Sequence, residues 1–372
     1  VTDKETGVSY SVETDLTIVN SYSKGLMVLS EVEGNANVTF INVVNTVTED
    51  AYEKVNGEVA GRSPRGIFYT GEGEFTKGLV VISTGDGSKV IEPTDFSYMM
   101  DFSEMFYFAP DPCVMECLCK NMYGYNEYVI MSGRVYTRNL SFVEDMFVKY
   151  DPQVKGDYEA APFSMYESND PFFYDQKGKR FIYDDYGKMI SVESASGAFN
   201  PAAMEATMVY GVAFEDNVRA VMEDADGHHF VIAAQKRVEY DDDFYNSYIR
   251  VIPIRKVDLN QTDIGEATCF AVSSKDIDFL YYGYQNKIVC MSTVTGNVLA
   301  TYDGFEEGNK IDYIEFDRSE NPNRLYVGVS NGSGKAKSGS IYYLRMSSNG
   351  SLEEENHFNN ICGRVVDFEY NK

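Results

Sequence analysis

No tryptophan occurs in the chain, and only three histidines do. The first absence removes the side chain that stacks best on sugar rings. The second leaves His228, His229 and His357 as the whole stock of imidazole for metal binding or proton transfer. Cysteine is scarce as well: six in 372 residues, with no Cys-x2-Cys pair, is neither a disulfide scaffold nor a zinc signature. No apolar run approaches the ~18 residues that would span a bilayer as a helix. Positive charge is also short. Lys and Arg number 32 against 58 Asp and Glu, and the net charge of −26 repels phosphate backbones and anionic lipid, so nucleic acid is not an expected partner. The basic residues Lys236, Arg237, Arg250, Arg255 and Lys256 are interrupted by Asp241-Asp242-Asp243 and read as a solvated sheet face. Helical 3.6-residue periodicity is hard to find over any long window.

What the chain does contain is β sequence. Tyrosine (29) and phenylalanine (23) supply aromatic bulk suited to strands, and short alternating runs recur between clusters of Gly, Asn, Asp and Ser. The clearest unit is near the C-terminus, where Lys310 to Phe316 alternates, Arg324 to Val329 follows, and Ser340 to Arg345 comes after a Gly-rich turn. The pattern repeats at Ala267 to Ser273, Asp278 to Tyr282 and Asn286 to Met291, with a tight turn at Gln285 and an outer strand at Asn297 to Tyr302. Second strands of such units begin near Leu26, Leu79, Tyr128, Phe172, Val218, Phe279 and Leu325. Those starts are roughly 50 residues apart, against the ~40–50 of a propeller blade. The long interval from Val218 to Phe279 points to an insertion at Tyr240 to Tyr248.

The expected fold is all-β, a β-propeller of seven four-stranded blades; alternation alone also fits a tandem of β-sandwiches or a β-helix. A ring must close, because an open one would leave two blade faces wet. Gly363 to Tyr370 repeats the inner-strand pattern of Ile311 to Phe316 with nothing after it, and the first unit, Gly25 to Ser30 and Asn37 to Ile41, lacks an inner strand. Val365 to Tyr370 is therefore expected to pair with Leu26 to Ser30. Val366, Phe368 and Tyr370 should then share one face, and Val365, Asp367 and Glu369 the other.

Residues 1–22 stand outside the repeat. Val1-Thr2-Asp3, a turn at Lys4 to Gly7 and an alternating run at Asp15 to Asn20 read as a hairpin. The pattern resembles the last hairpin of a PKD-type immunoglobulin-like domain, so 1–22 is assigned to a remnant of a preceding domain and 23–372 to the propeller. Taken with Gly25 to Ile41 and Gly363 to Tyr370, the chain resembles the PKD-like lipoprotein family of Bacteroidetes, in which a lipobox cysteine and Ig-like domains precede a propeller-like region. This resemblance implies a cell-surface or outer-membrane location through a lipid anchor upstream of this chain. It also implies a glycan or peptide ligand and an outer-membrane transport partner in nutrient capture. It supplies no catalytic residues.

Chemical motifs are few. Gly332-Ser333-Gly334 and Gly339-Ser340 lack the strand-to-helix context of a nucleophile elbow and read as turn residues. Asp-box, kelch and WD signatures are missing. Cys113, Met115, Cys117 and Cys119 alternate, which places them on one face of an inner strand as a Cys/Met packing surface, unpaired and without metal. Asp241-Asp242-Asp243 and Asp184-Asp185 lack the ligand spacing of a calcium loop, and His228-His229 ends a turn after Asp224-Ala225-Asp226-Gly227.

The leading expectation is a non-catalytic ligand-binding or surface protein, with no cofactor and no metal, whose loops surround the mouth of the central channel. The loop residues Arg65, Phe106, Tyr107, Asp175 and Tyr284 are the candidates for ligand contact. One alternative is a glycan-active hydrolase or lyase with carboxylates at the channel mouth, recognisable by acids of raised pKa converging in one deep pocket. Another is a protein–protein module, recognisable by an exposed apolar patch on the channel face.

Overall fold

The computed structural model describes residues 4–6, 22–70, 78–120, 126–140, 147–163, 172–240, 247–259, 262–319 and 321–371. Seven antiparallel sheets follow one another, five of four strands and two of three among the described residues. Each sheet is a meander running from the axis outward. In the seventh blade the strands are Lys310–Phe316, Arg324–Ser330, Gly339–Met346 and Leu352–Cys362. Helix among the described residues is limited to Ala51–Asn56 and two 3-10 turns, Phe102–Met105 and Asp263–Glu266.

The seven expected second strands are Gly25–Val32, Leu79–Thr84, Asn126–Met131, Phe172–Asp175, Asn217–Asp224, Phe279–Tyr284 and Arg324–Ser330. Both faces of such a strand are covered by neighbouring blades, so the alternation that marks a one-sided strand gives way to near-continuous burial. Leu79–Thr84 is buried at all six positions. In the fourth blade, Glu159 to Ala161 runs beside Phe172–Asp175 at the inner position. The Ala161 amide donates to the Tyr174 carbonyl at 2.8 Å and the Gln176 amide to the Glu159 carbonyl at 2.7 Å. The long interval is a hairpin of two 12-residue strands, His229–Tyr240 and Ser247–Asp258. Its tip, with Asp241-Asp242-Asp243, lies outside the described residues, as does most of the 1–22 hairpin.

The C-terminal strand Arg364–Asn371 is the inner strand of the first blade, antiparallel to Gly25–Val32, with Leu26 opposite Tyr370 and Val28 opposite Phe368. The expected division of faces needs correction. Asp367 opposes Leu29 and Val365 opposes Ser30, so Val366 is an extra, bulged residue and the alternation changes phase there. Val365 (0% exposed) and Phe368 (4%) consequently pack together towards the seventh blade, against Leu26, Val28 and Tyr326. Val366 packs with the first- and second-blade core around Met27 and Ile67. Gly328 permits this approach, since a Cβ there would sit 2.4 Å from Cβ of Val365.

Asp312 clasps the same seam. Its carboxylate accepts the Val365 amide at 3.1 Å and the Ser330 hydroxyl at 2.9 Å. Burial pushes Asp312 up from the ordinary 3.8 to about 6, against the lowering effect of those two hydrogen bonds. A carboxyl whose folded pKa is raised costs stability once ionised: the loss is absent below the unfolded pKa and complete above the folded one. Stability should therefore fall as pH rises from about 4 to about 6. Asp312→Asn keeps an acceptor for Val365 while Ser330 turns to accept, and should gain about 1–3 kcal/mol at pH 8 and nothing at pH 4 in urea unfolding. No gain at pH 8 would mean that the ionised carboxylate is accommodated at no cost.

The cysteine stretch also departs from expectation. All six cysteines are buried and free, but Cys113 and Met115 pack with the second-blade residues Leu79 and Val81. Cys117 and Cys119 instead face Val154, Tyr158 and Phe173 on the other side. The strand is only Cys117–Lys120. Just before it, Glu116 donates its amide to Ile130, the residue that also pairs with Cys117, so the phase is lost at that point.

Candidate functional site: the axial channel

Inner strands of a closed ring turn one edge towards the axis, and their polar residues meet there instead of reaching bulk water. The result here is an axial cavity of about 260 Å3. Described residues of six of the seven blades contribute to its wall. The first gives Leu26 and residues 366–370, the second Arg65 and residues 67–69, the third residues 116–118. The fourth gives Pro162 and Phe163, the fifth Tyr210 and Gly211, and the seventh Tyr313, Tyr326 and residues 315–319.

Among the described residues, five acidic side chains and two arginines line this wall: Glu116, Glu315, Asp317, Asp367 and Glu369 against Arg65 and Arg318. Two of the acids stitch the ring together. Asp367 Oδ2 accepts the Ile67 amide at 2.9 Å and Glu369 Oε2 accepts the Tyr69 amide at 3.0 Å, so the first blade's carboxylates satisfy N–H groups of the second blade's inner strand. Their other oxygens accept the amides of Phe368 and Tyr370. Gly66 makes the approach possible, because a Cβ there would lie 3.1 Å from Asp367 Oδ2 and closer still to the Phe68 ring. Asp317 is engaged differently, accepting the Tyr326 hydroxyl at 2.8 Å and the amide and hydroxyl of Ser319.

Glu315 is less tightly held. Its Oε1 lies 3.4 Å from Arg318 Nε, with the two side chains 22% and 33% exposed, and that exposure opens into the channel. Burial pushes Glu315 up from 4.5 to about 8; Arg318 opposes this, while Asp367, Glu369 and Asp317 add to it. Asp367 is raised from 3.8 to about 7, again chiefly by burial, with the Ile67 amide opposing and Glu369 reinforcing. Tyr313, beside Asp367, is raised well above its ordinary value by burial and then by that acid. Aromatic rings complete the wall. Phe368 packs against Tyr313 and Tyr326 at 5.8 and 5.9 Å, and Tyr210 stacks on Phe270 at 5.6 Å and meets Phe163 edge-on at 6.1 Å.

Of the five sequence candidates, Arg65 lines this cavity. Phe106 is 4% exposed and stacks on Tyr150 in the core between the second and third blades. Tyr107 beside it is exposed. Asp175 is buried, holding the Glu159 and Lys177 amides and facing Arg180 at 3.2 Å. Tyr284 is half-buried at the turn before Lys287. These four residues do not line the axial cavity. Glu315, Asp367 and Glu369 were missed, although all three lie in runs recognised as inner strands.

Asp224, Asp226 and His228 are the described trio whose potential ligand atoms gather within 4.8 Å. Hydrogen bonding accounts for their proximity, since Asp224 Oδ1 accepts the amides of both Asp226 and His228 at 2.9 Å in a solvent-facing turn.

The PKD-like family model matches residues 1–64, a span that runs through the three outer strands of the first blade and the helix Ala51–Asn56. No curated protein matches the chain. Among solved structures, that of U3-55K is similar with a TM-score of 0.50 and 8% identity, over 82% of this chain and 84% of that one. Dihydro-heme d1 dehydrogenase NirN in complex with DHE gives 0.49 and 11% identity, over 95% and 77% of the two chains. AztD from Citrobacter koseri gives 0.48 and 11%, over 93% and 98%. At such identities the likeness to U3-55K concerns fold alone, and that fold is the propeller.

Proposed function

We propose that this chain is a non-catalytic binding module whose axial channel receives a small polar ligand. The observation that carries the reading is the cavity with acidic and aromatic walls to which described residues of six blades contribute. Its volume sits just below the ~300–1,000 Å3 typical of small-molecule sites. A place at the cell surface, serving nutrient capture beside a transport partner, belongs to the same proposal and has the PKD-like match at residues 1–64 as its support.

One observation favours the alternative of a glycan-active hydrolase. Glu315 and Asp367 are two acids of raised pKa in one pocket, the pattern expected of an acid–base pair. Against it, both oxygens of Asp367 already accept backbone amides. That arrangement serves structure and leaves little freedom for proton transfer.

A calorimetric screen of glycans, short peptides and small polar compounds tests both readings. A true channel ligand should lose at least tenfold in affinity in Leu118→Trp, which enlarges a residue of the cavity wall, provided the variant melts within a few degrees of the parent. Turnover of a glycan that disappears in Glu315→Gln would replace the binding reading with the catalytic one. A ligand whose affinity ignores Leu118→Trp would place the site elsewhere on the ring.

A further inference from the structure

We propose that the axial channel selects a small organic cation, a molecule carrying a primary ammonium or guanidinium group, and that such a ligand enters by displacing a proton from Glu315. The inference rests on the channel being the ligand site and concerns the class of ligand it takes.

The geometry supplies three reasons. First, among the described residues the cavity wall carries five carboxyl side chains against two guanidinium groups. Glu315 faces Arg318 at 3.4 Å, longer than the ~2.7–2.9 Å of a strong charge-assisted bond, so it keeps acceptor capacity for a second donor. Second, the same wall includes Phe163 and Tyr210, aromatic rings of the kind that attract cations. Third, the acids come from three blades, and among the described residues no three of them gather within chelating distance. Among the described residues, the cluster with metal-chelating closeness is the separate turn of Asp224, Asp226 and His228. An elongated ligand with donors along its length fits spread carboxylates better than a point ion does. The net charge of −26 would in addition raise the local concentration of any cation.

Proton displacement follows from what surrounds Glu315. Lining the cavity with it are, from the seventh blade, Arg318, Asp317, Tyr313 and Tyr326, and from the first, Asp367, Glu369 and Tyr370. The second and third blades add Arg65, Tyr69, Glu116 and Cys117. Tyr210 comes from the fifth blade, and the fourth contributes Pro162 and Phe163, which do not titrate. Carboxyls outnumber cations among the described residues of this set, and burial, with repulsion from Asp367, Glu369 and Asp317, raises Glu315 to about 8. At neutral pH the cavity thus already takes up one positive species, the proton. An arriving ammonium replaces it, the carboxylic O–H loses its proton to the buffer, and the resulting carboxylate accepts N–H bonds from the ligand. Affinity should then rise with pH, by up to tenfold per unit while Glu315 remains protonated.

Agmatine, which carries an ammonium at one end and a guanidinium at the other, is the probe, with neutral 1,5-pentanediol of similar length as its control. Isothermal titration at pH 7 in buffers of differing ionisation enthalpy should show agmatine binding with close to one proton released, affinity higher at pH 7 than at pH 6, and no response to the diol. Glu315→Gln should weaken agmatine at least tenfold and remove the proton release, and Leu118→Trp should weaken it as well. Equal binding of diol and agmatine, or binding of agmatine with no proton released, overturns the inference. So does a neutral sugar that binds and is blocked by Leu118→Trp while agmatine is ignored, although the channel itself then stands as the site. Agmatine binding that neither variant alters overturns both this inference and the channel reading.

Discussion

Removing residues 363–372 should leave a chain that does not melt cooperatively and that aggregates at micromolar concentration. The segment is the inner strand of the first blade, and it holds both neighbours of that blade at once. Towards the seventh blade it buries Val365 and Phe368 against Leu26, Val28 and Tyr326, and the Val365 amide is held by Asp312. Towards the second blade, Asp367 and Glu369 take up the amides of Ile67 and Tyr69. At its end, the Asn371 side-chain amide donates to the carbonyls of Tyr22 and Pro93 at 2.5 and 2.6 Å. Loss of a buried phenylalanine alone costs about 3–5 kcal/mol, and the remaining losses bring the total into the ~5–15 kcal/mol range of a whole domain's stability. The edge of Gly25–Val32, with Met27, Val28 and Leu29 fully buried in the intact ring, would be left unpaired and apolar, a template for intermolecular pairing. Thermal unfolding followed by circular dichroism, with size-exclusion chromatography of the same sample, reads both effects. Adding a synthetic peptide of residues 363–372 in trans should restore part of the transition. A truncated chain that is monomeric with an unchanged melting temperature would show that the ring is held without its terminal strand.

The closure was readable because an inner-strand pattern with no successor and a first blade with no inner strand are two halves of one observation. The number of blades was readable for a similar reason. Second strands are apolar throughout, as in Leu79–Thr84, and turn residues separate them at regular distances. Ladder irregularities escaped. A bulge adds one residue without altering composition, so nothing in Arg364–Asn371 announces that Val366 is the extra one, and nothing in Glu116-Cys117 announces that both address Ile130.

The channel acids escaped for a different reason. In an alternating run, polar residues are ordinarily taken to face solvent. In an inner strand there is no solvent face, and the polar positions meet the axis or the edge of the next blade. Glu315 lies within Lys310–Phe316, and Asp367 and Glu369 within Arg364–Asn371, all in runs already recognised as innermost. The available signal was an acid inside such a run. The loop residues chosen instead rested on the general habit of propellers to bind at loops, and among them only Arg65 reaches the cavity wall.

Arg138→Met should destabilise the protein by about 3–5 kcal/mol, the cost of leaving a buried charge without its partner. Glu127 and Arg138 lie side by side on the second and third strands of the third blade, and their side chains are 2% and 0% exposed. The carboxylate accepts Arg138 Nε at 2.8 Å, the Thr70 hydroxyl from the second blade at 2.5 Å, and the Tyr150 hydroxyl. Arg138 also donates to Thr70 Oγ1 at 3.1 Å and to the Val148 carbonyl at 3.2 Å, and its guanidinium lies 4.7 Å from the centre of the Tyr150 ring. The pair thus ties two blades and the Tyr150 segment into one polar knot inside an apolar seam. Its net contribution is nevertheless expected to be small, because taking both ions out of water costs nearly as much as their attraction returns. The double variant Glu127→Met with Arg138→Met should accordingly lie within about 2 kcal/mol of the parent, while each single variant is far worse. Urea unfolding of the parent, the two single variants and the double variant forms a thermodynamic cycle that isolates the coupling. Strict additivity of the two single losses would show that Glu127 and Arg138 act independently and that the knot is held by Thr70 and Tyr150 instead.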